Sequence, residues 1–135
     1  MPTTYAIPDG RVAMAATLYT GTGASQTISN AVNGVSFQPD FVWVKGRSFV
    51  SYNGLIDSVR GRSSDLYSNA TIAEETSGST EDLTSFNSNG FSLGTPARFG
   101  SNTSGQTYVA WQWKAGGTAV SNTAGSITSS VSANV

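Results

Sequence analysis

The sequence contains neither cysteine nor histidine among its 135 residues. The absence of cysteine excludes disulfide bonds and thiolate nucleophiles, and the absence of histidine removes the commonest general base. Together these absences remove nearly every pattern of residues that binds zinc. We therefore expect a protein that is not an enzyme and that has no metal site and no cofactor.

Charged residues are also scarce, because they make up 11% of the chain and leave a net charge of −1. Binding to nucleic acid needs clustered Lys and Arg, whereas the few basic residues here are scattered among acids. No apolar run reaches the roughly 18 residues that a membrane-spanning helix needs, and the first residues lack the pattern of a signal peptide. We therefore expect neither a nucleic acid nor a membrane as a partner.

The residues that are present favour β-structure. Hydrophobic residues make up 38% of the chain, which suffices for one packed core. Short runs rich in β-branched and aromatic residues recur between clusters of Gly, Asn, Asp and Ser, and apolar residues rarely follow helical spacing. The predicted fold class is all-β, as an antiparallel β-sandwich of the jelly-roll or lectin-like type. Strands are predicted at residues 12–19, 26–32, 41–45, 50–56, 65–68, 83–86, 91–94, 108–114 and 126–132.

Two local patterns give more detailed predictions. Asn89-Gly90 lies between two β-rich runs and predicts a hairpin over residues 84–93, since this dipeptide supplies the positive φ angles of a tight turn. Residues 68–75 are the one place where a helical turn is predicted, with Asn69 as its N-cap.

The aromatic residues are predicted to lie in the core. In residues 108–114, Val109, Trp111 and Trp113 share one face of a strand, and Tyr108, Ala110 and Gln112 share the other. Residues 41–44 are apolar on both faces, as in a central strand. Core packing is the commoner fate of such Trp residues, and the alternative is a platform on which a sugar ring stacks.

Three further patterns resemble functional motifs but have simpler interpretations. The glycines of residues 19–25 lack the rest of a phosphate-binding motif, so we predict a turn between two antiparallel strands. Asp57 and Arg60 are predicted to form a local ion pair. Four acidic residues could in principle hydrolyse glycosides, but their polar surroundings predict a solvated loop. They are Glu74, Glu75, Glu81 and Asp82.

The chain divides into three segments of different character. Residues 1–11 carry two prolines and no strand alternation, so we predict an extended N-terminal attachment arm. Residues 12–114 form the predicted sandwich domain. Residues 115–135 are small, polar and weakly alternating, and we predict a C-terminal connector or edge strand there. Because its apolar residues have no place in the chain's own core, the arm is predicted to bind a partner protein through Tyr5, Ile7, Pro8 and Arg11.

Four stretches of sequence together resemble a β-rich module of tailed-bacteriophage virion proteins, of the kind found in tail fibres and head fibres. The resemblance runs from about Arg11 to the end of the chain. It is carried by residues 16–23 (ATLYTGTG), 32–45 (VNGVSFQPDFVWVK), 57–61 (DSVRG) and 108–117 (YVAWQWKAGG).

The resemblance implies a structural protein of the phage particle, assembled in the bacterial cytoplasm. The expected role is the virion-anchored proximal module of a tail fibre or spike, and the alternatives are a capsid decoration or head-fibre protein and a carbohydrate-binding receptor module. The expected partners are other virion proteins, namely a tail adaptor, the tail tube or the major capsid protein. A homo-oligomer is also expected, with a trimer as one candidate, because a surface with little charge does not repel its own copies.

Overall fold

The computed structural model describes residues 9–115 and 120–131. Within these ranges a single 3-10 turn, Gly10–Val12, precedes eleven β-strands. The strands are β1 Met14–Thr20, β2 Gln26–Ser29, β3 Phe41–Gly46, β4 Gly54–Asp57, β5 Ser64–Tyr67, β6 Glu75–Thr76, β7 Leu83–Asn87, β8 Gly90–Leu93, β9 Thr107–Trp113, β10 Val120–Asn122 and β11 Ser129–Val131. In this part of the chain no helix is long and apolar enough to cross a membrane.

The strands form two main sheets. The large sheet has six strands in the order β1-β9-β3-β4-β5-β6, and the small sheet has three in the order β2-β8-β7. All paired strands are antiparallel. The predicted fold class, an all-β antiparallel sandwich, is therefore confirmed.

The hydrophobic core lies between the two sheets. Each strand alternates, so every second residue of the large sheet faces the small sheet. Phe99, from the loop that follows β8, completes the core above Gly54, where a Cβ atom would lie 2.7 Å from the Phe99 ring. The buried cluster comprises Val42, Val44, Ile56, Tyr67, Tyr108 and Ala110 of the large sheet, Ile28, Leu83, Phe91 and Leu93 of the small sheet, and Phe99.

Most predicted strands lie within a few residues of the observed ones, whereas the predicted helical turn at residues 68–75 is wrong. Asn69 does not cap a helix. Its side chain accepts a hydrogen bond from the Asn53 backbone N–H at 2.9 Å and donates one to the Ser51 carbonyl at 3.2 Å. The stretch leads instead into the two-residue strand β6, which pairs with β5.

The predicted hairpin is confirmed, but its turn lies one residue earlier than expected. Asn87 pairs with Gly90, so Ser88 and Asn89 form the turn. Gly90 belongs to the strand, with φ +140°, and a Cβ atom there would lie 2.0 Å from the carbonyl oxygen of Ile28. This glycine therefore permits the close approach of β2 as well as the turn.

The glycine-rich loop after β1 leads from the large sheet to β2 of the small sheet, so it is a connection between two strands as predicted, but these strands are not paired with each other. Buried Asn102 holds this loop through backbone and side chain. Its side-chain Oδ1 accepts from the Thr22 N–H at 2.9 Å, and its Nδ2 donates to the Ala24 carbonyl at 2.6 Å. At Gly21 a Cβ atom would lie 2.3 Å from the Thr103 carbonyl oxygen, which explains the need for glycine there.

The C-terminal segment contains a second hairpin where one strand, at residues 126–132, was predicted. β10 pairs with β11 in a separate two-stranded sheet, and all six residues of these strands are exposed. The described part of the C-terminal segment is thus a thin ribbon outside the sandwich core.

Candidate functional site

The most distinctive surface of the molecule is the outer face of the large sheet, which points away from the core. The row across its middle runs over five strands, because the register aligns Ala16 with Trp111, Trp111 with Trp43, Trp43 with Leu55, and Leu55 with Leu66. Parallel rows lie on either side. We call this surface the aromatic face, and it consists of Met14, Ala16, Leu18, Phe41, Trp43, Leu55, Leu66, Val109, Trp111 and Trp113.

The aromatic rings of this face pack against one another across the strands. Trp43 and Trp111 have ring centroids 5.3 Å apart at an interplanar angle of 53°, and Phe41 and Trp113 have centroids 5.3 Å apart at 37°. The Trp43 Nε1 atom is buried among its neighbours without a hydrogen-bond partner. These tilted contacts order the rings into a nearly continuous apolar layer.

This finding corrects the prediction that the Trp residues lie in the core. Trp43, Trp111 and Trp113 are half-buried on the outside, whereas the opposite face of β9 is fully buried. The buried face includes Gln112, whose amide donates to Thr17 Oγ1 at 3.0 Å. Asn30 Nδ2 donates to the side-chain oxygen Oε1 of Gln112 at 3.2 Å, so both ends of the Gln112 amide have hydrogen-bond partners in the core.

Exposed apolar side chains at the edges extend the aromatic face toward solvent. Leu18 is 63% exposed, Met14 is 40% exposed and Leu66 is 36% exposed. Soluble monomers seldom leave a contiguous apolar patch larger than a few hundred Å², and larger patches mark interaction surfaces. The aromatic face is therefore a candidate protein-binding surface.

One end of the strands carries basic side chains beside the aromatic face, and the other end carries both acidic and basic ones, among them Lys114, which follows Trp113. Lys45 and Arg47 lie at one end of β3, next to Val109 and Thr107 of β9. Asp57 lies at the other end, beside Phe41. Arg60 binds both Asp57, at 2.6 Å, and Glu74, at 2.8 Å, so that cluster keeps one net negative charge. The Asp57–Arg60 ion pair confirms the sequence prediction.

The free edge of β1 adjoins the aromatic face. The backbone N–H of Lys114 donates to the Ala13 carbonyl at 2.9 Å, and that of Gly21 donates to the Gln106 carbonyl at 2.8 Å. These two hydrogen bonds fix which residues of β1 bond to β9. By alternation, the odd-numbered residues bond to β9, while Met14, Ala16 and Leu18 direct their N–H and C=O groups toward the open edge. A groove of about 400 Å³ opens beside this edge, between β1 and residues 29–32.

Two other sheet edges, β6 and β7, are less open to strand pairing. β6 has only two residues, with Glu75 bound to Arg98, and β7 has a register shift between Leu83 and Ser85. β1, by contrast, has seven residues without charge or proline. Short, charged or irregular edges resist pairing with other chains, whereas a long regular edge favours it.

Two carboxyl groups are fully buried at the opposite side of the molecule. Asp65 accepts a hydrogen bond from Ser77 Oγ through Oδ2, while its Oδ1 has no hydrogen-bond partner. Burial, with a smaller contribution from the nearby charge of Asp82, raises the pKa of Asp65 to about 6. Since Asp65 is 0% exposed, its carboxyl has no access to a substrate.

Asp82 corrects the prediction that all four acidic residues lie in a solvated loop. Its carboxylate is buried and binds the loop after β8, accepting hydrogen bonds from the Arg98 N–H at 2.8 Å and from Ser101 Oγ at 2.8 Å. Glu74 is bound to Arg60, Glu75 to Tyr67 and Arg98, and Glu81 to the Gly78 N–H. These carboxylates thus hold the fold together. Among the residues of known placement, no acidic cluster has the arrangement of a metal site.

The predicted partner-binding residues of the arm fall mostly outside the described part of the chain. Tyr5, Ile7 and Pro8 lie there, and their role stays a prediction. Arg11 is described, and its Nη2 lies 2.6 Å from Asp9 Oδ2. The hydrogen bonds from the Arg11 side chain lower the pKa of Asp9.

A second groove, of about 440 Å³, lies at the loop end of the sandwich. Tyr52, which is 42% exposed, forms part of its wall together with Asn69 and Arg98. The Tyr52 ring packs on Tyr67 with centroids 4.8 Å apart. An exposed ring beside amide and guanidinium groups is the kind of surface on which a sugar can stack.

Comparison with known proteins identifies a family. A search of the curated proteins finds no match, and neither does a search of the solved structures. The model of the family described as "Domain of unknown function (DUF7483)" matches residues 12–135, which is most of the chain and includes the entire sandwich. The chain therefore belongs to the DUF7483 family.

Proposed function

We propose that the protein is a structural component of a tailed-bacteriophage virion, acting by attachment to other proteins as the proximal module of a tail fibre or spike. The aromatic face is the observation that carries the attachment role. The motifs at residues 16–23, 32–45, 57–61 and 108–117 support the phage origin, because they resemble modules of virion proteins.

An apolar face on a chain with so few charges favours contact with protein. Each Å² of apolar surface removed from water contributes about 25 cal/mol, so covering several hundred Å² stabilises an assembly substantially. Covered interfaces of this kind are rich in Trp, Tyr and Phe, and depleted of Lys and Glu at their centres. The aromatic face has this composition, with its charges at the rim.

Within this proposal, the arm at residues 1–11 attaches the module to the particle. Tyr5, Ile7 and Pro8 supply apolar contacts, and prolines restrict the unbound arm, which lowers the entropic cost of docking. The partner is a tail adaptor, the tail tube or, in the alternative role as a capsid decoration protein, the major capsid protein. Copy number separates these roles, since decoration proteins follow the capsid lattice and fibres follow the symmetry of the tail.

Deletion of residues 2–8 tests the attachment role. We expect the variant to melt at nearly the same temperature as the parent and to be lost from purified particles, as measured by a quantitative protein census. Ser88→Asp, in the exposed turn between β7 and β8 of the small sheet, lies on the other sheet from the aromatic face; it is the control and should be incorporated normally. Normal incorporation of the deletion variant would contradict attachment through the arm.

The groove beside Tyr52 favours carbohydrate binding as a second candidate function. In that case Tyr52→Ala would abolish binding of host polysaccharide while incorporation into particles stayed normal.

Catalysis is not part of either proposal. We expect no hydrolysis of polysaccharide by the purified chain, and turnover that is lost in Glu74→Gln or Glu75→Gln would contradict this.

A further inference from the structure

We infer that the aromatic face binds the aromatic face of a second copy of this chain, with the strands of the two large sheets antiparallel. The inference rests on the proposed function in that it names one partner of the same attachment surface. Three features of the face support a second copy as the occupant: its size, its charge pattern and its uncharged middle row.

The size of the face matches the lower limit of a specific dimer. The five strands are four to seven residues long, so at about 3.3 Å per residue and about 4.8 Å between strands they cover about 450 Å² per copy. Two copies would therefore bury about 900 Å², close to the roughly 1,000 Å² that a specific interface reaches. Interfaces of this size are typical of weak, reversible association rather than of an inseparable dimer.

The charges at the rim favour one orientation of the second copy. A twofold axis parallel to the rows of the face places β3 over β3 in opposite directions. Lys45 and Arg47 of one copy then lie over the end of the face that carries Asp57 and the Arg60–Glu74 pair of the other. A twofold axis parallel to the strands would instead bring the two basic ends together, and like charges across an interface oppose binding.

The face is also suited to sheet-on-sheet packing. Its middle row, which runs from Ala16 at the β1 edge through Trp111 and Trp43 to Leu66, contains no charged side chain. Antiparallel sandwiches pack their sheets about 10 Å apart at a small angle, with side chains from both faces interlocking. A dimer of this kind would extend the two-layer sandwich into four layers and remove the Trp rings from water.

The test is sedimentation velocity of the full chain over a concentration range from about 1 µM to about 1 mM. We expect a reversible monomer–dimer equilibrium. Leu18→Asp places a charge on the face at a position 63% exposed, so the monomer should still fold, as a thermal melt can verify. The Leu18→Asp substitution should weaken dimerisation at least about tenfold. Ser88→Asp, which adds the same charge in the exposed turn between β7 and β8 of the small sheet, should leave the dimer constant within about twofold.

Arg47→Glu tests the orientation. If Arg47 faces the acidic end of the other copy, this variant should weaken the dimer several-fold, whereas facing basic ends would make it bind more tightly. A parent chain that stays monomeric at the highest concentration, or a dimer unaffected by Leu18→Asp, would overturn the inference. If the monomeric parent still enters particles and Leu18→Asp does not, the face binds another virion protein, which overturns the inference and leaves the proposed function standing.

Discussion

At the scale of single residues, Asp65 offers the clearest link between burial and a measurable property. One oxygen of its carboxyl is bound to Ser77 and the other has no hydrogen-bond partner. The pKa of about 6 in the folded chain lies above the ordinary value of 3.8. The folded state therefore holds the proton more tightly than the unfolded state. The stabilisation from Asp65 is fully present below the ordinary value and is lost as the pH rises through about 6.

Asp65→Asn separates this contribution from those of other groups, because the variant keeps the size and one acceptor oxygen but cannot ionise. We expect the melting temperature of the parent, relative to Asp65→Asn, to fall as the pH rises from about 4 to about 7. Ser77→Ala removes a hydrogen bond that lowers the pKa of Asp65, so it should move this fall to higher pH. Parallel melting curves for parent and Asp65→Asn over the whole range would rule out the buried, ionisable carboxyl described above.

Several residues that hold the fold together could not be identified from sequence. Asn102 and Asp82 are fully buried polar residues in polar stretches of sequence. Their bonding partners come from elsewhere in the chain: Asn102 binds the loop at residues 22–24, and Asp82 binds residues 97–101. A local pattern carries no record of such distant partners. The φ of +43° at Asp82 likewise depends on these tertiary contacts.

At the scale of strands, the positions of elements were predictable but the face that enters the core was not. Alternation in β3 and β9 defines two sets of side chains correctly, since it follows from the geometry of the strand. In both strands each set contains large apolar residues, and hydrophobicity does not say which set is buried. Gln112 is misleading in this respect, because its polar side chain suggests that its face of β9 is exposed. In the structure Gln112 is buried, and hydrogen bonds with Asn30 and Thr17 compensate the burial of its amide. The predicted core position of Trp111 and Trp113 was wrong for this reason.

The alternation of backbone groups in β1 predicts that proline lowers the stability by different amounts at two adjacent positions. Ala15 bonds to Gln112 of β9, so Ala15→Pro should leave the Gln112 backbone carbonyl without its donor and destabilise the chain by about 1–3 kcal/mol. The Ala16 N–H points to the open edge, where proline is tolerated. We expect Ala16→Pro to melt closer to the parent than Ala15→Pro does. Equal losses in urea unfolding, or a larger loss for Ala16→Pro, would show that the assigned alternation is wrong.

At the scale of the whole molecule, the large sheet has one face that is covered and one face that is open. The small sheet covers the inner face of the large sheet, while no described residue outside the large sheet forms a second layer over the aromatic face. The sequence predicted a protein that acts through contacts with other proteins, on the basis of low charge and the phage-like motifs. It did not point to the aromatic face as a candidate site for such contacts, because the Trp residues were assigned to the core.

Oxidative labelling of the Trp residues, read by mass spectrometry, tests most directly whether protein covers the aromatic face in the proposed phage particle. Trp43, Trp111 and Trp113 would be compared in dilute isolated chain and in purified particles that contain it. Tyr52, exposed on a different surface, serves as the internal reference. We predict that labelling of Trp111 and Trp113 falls several-fold in particles, relative to Tyr52. Equal labelling of these Trp residues in both samples would contradict the role of the aromatic face as an attachment surface.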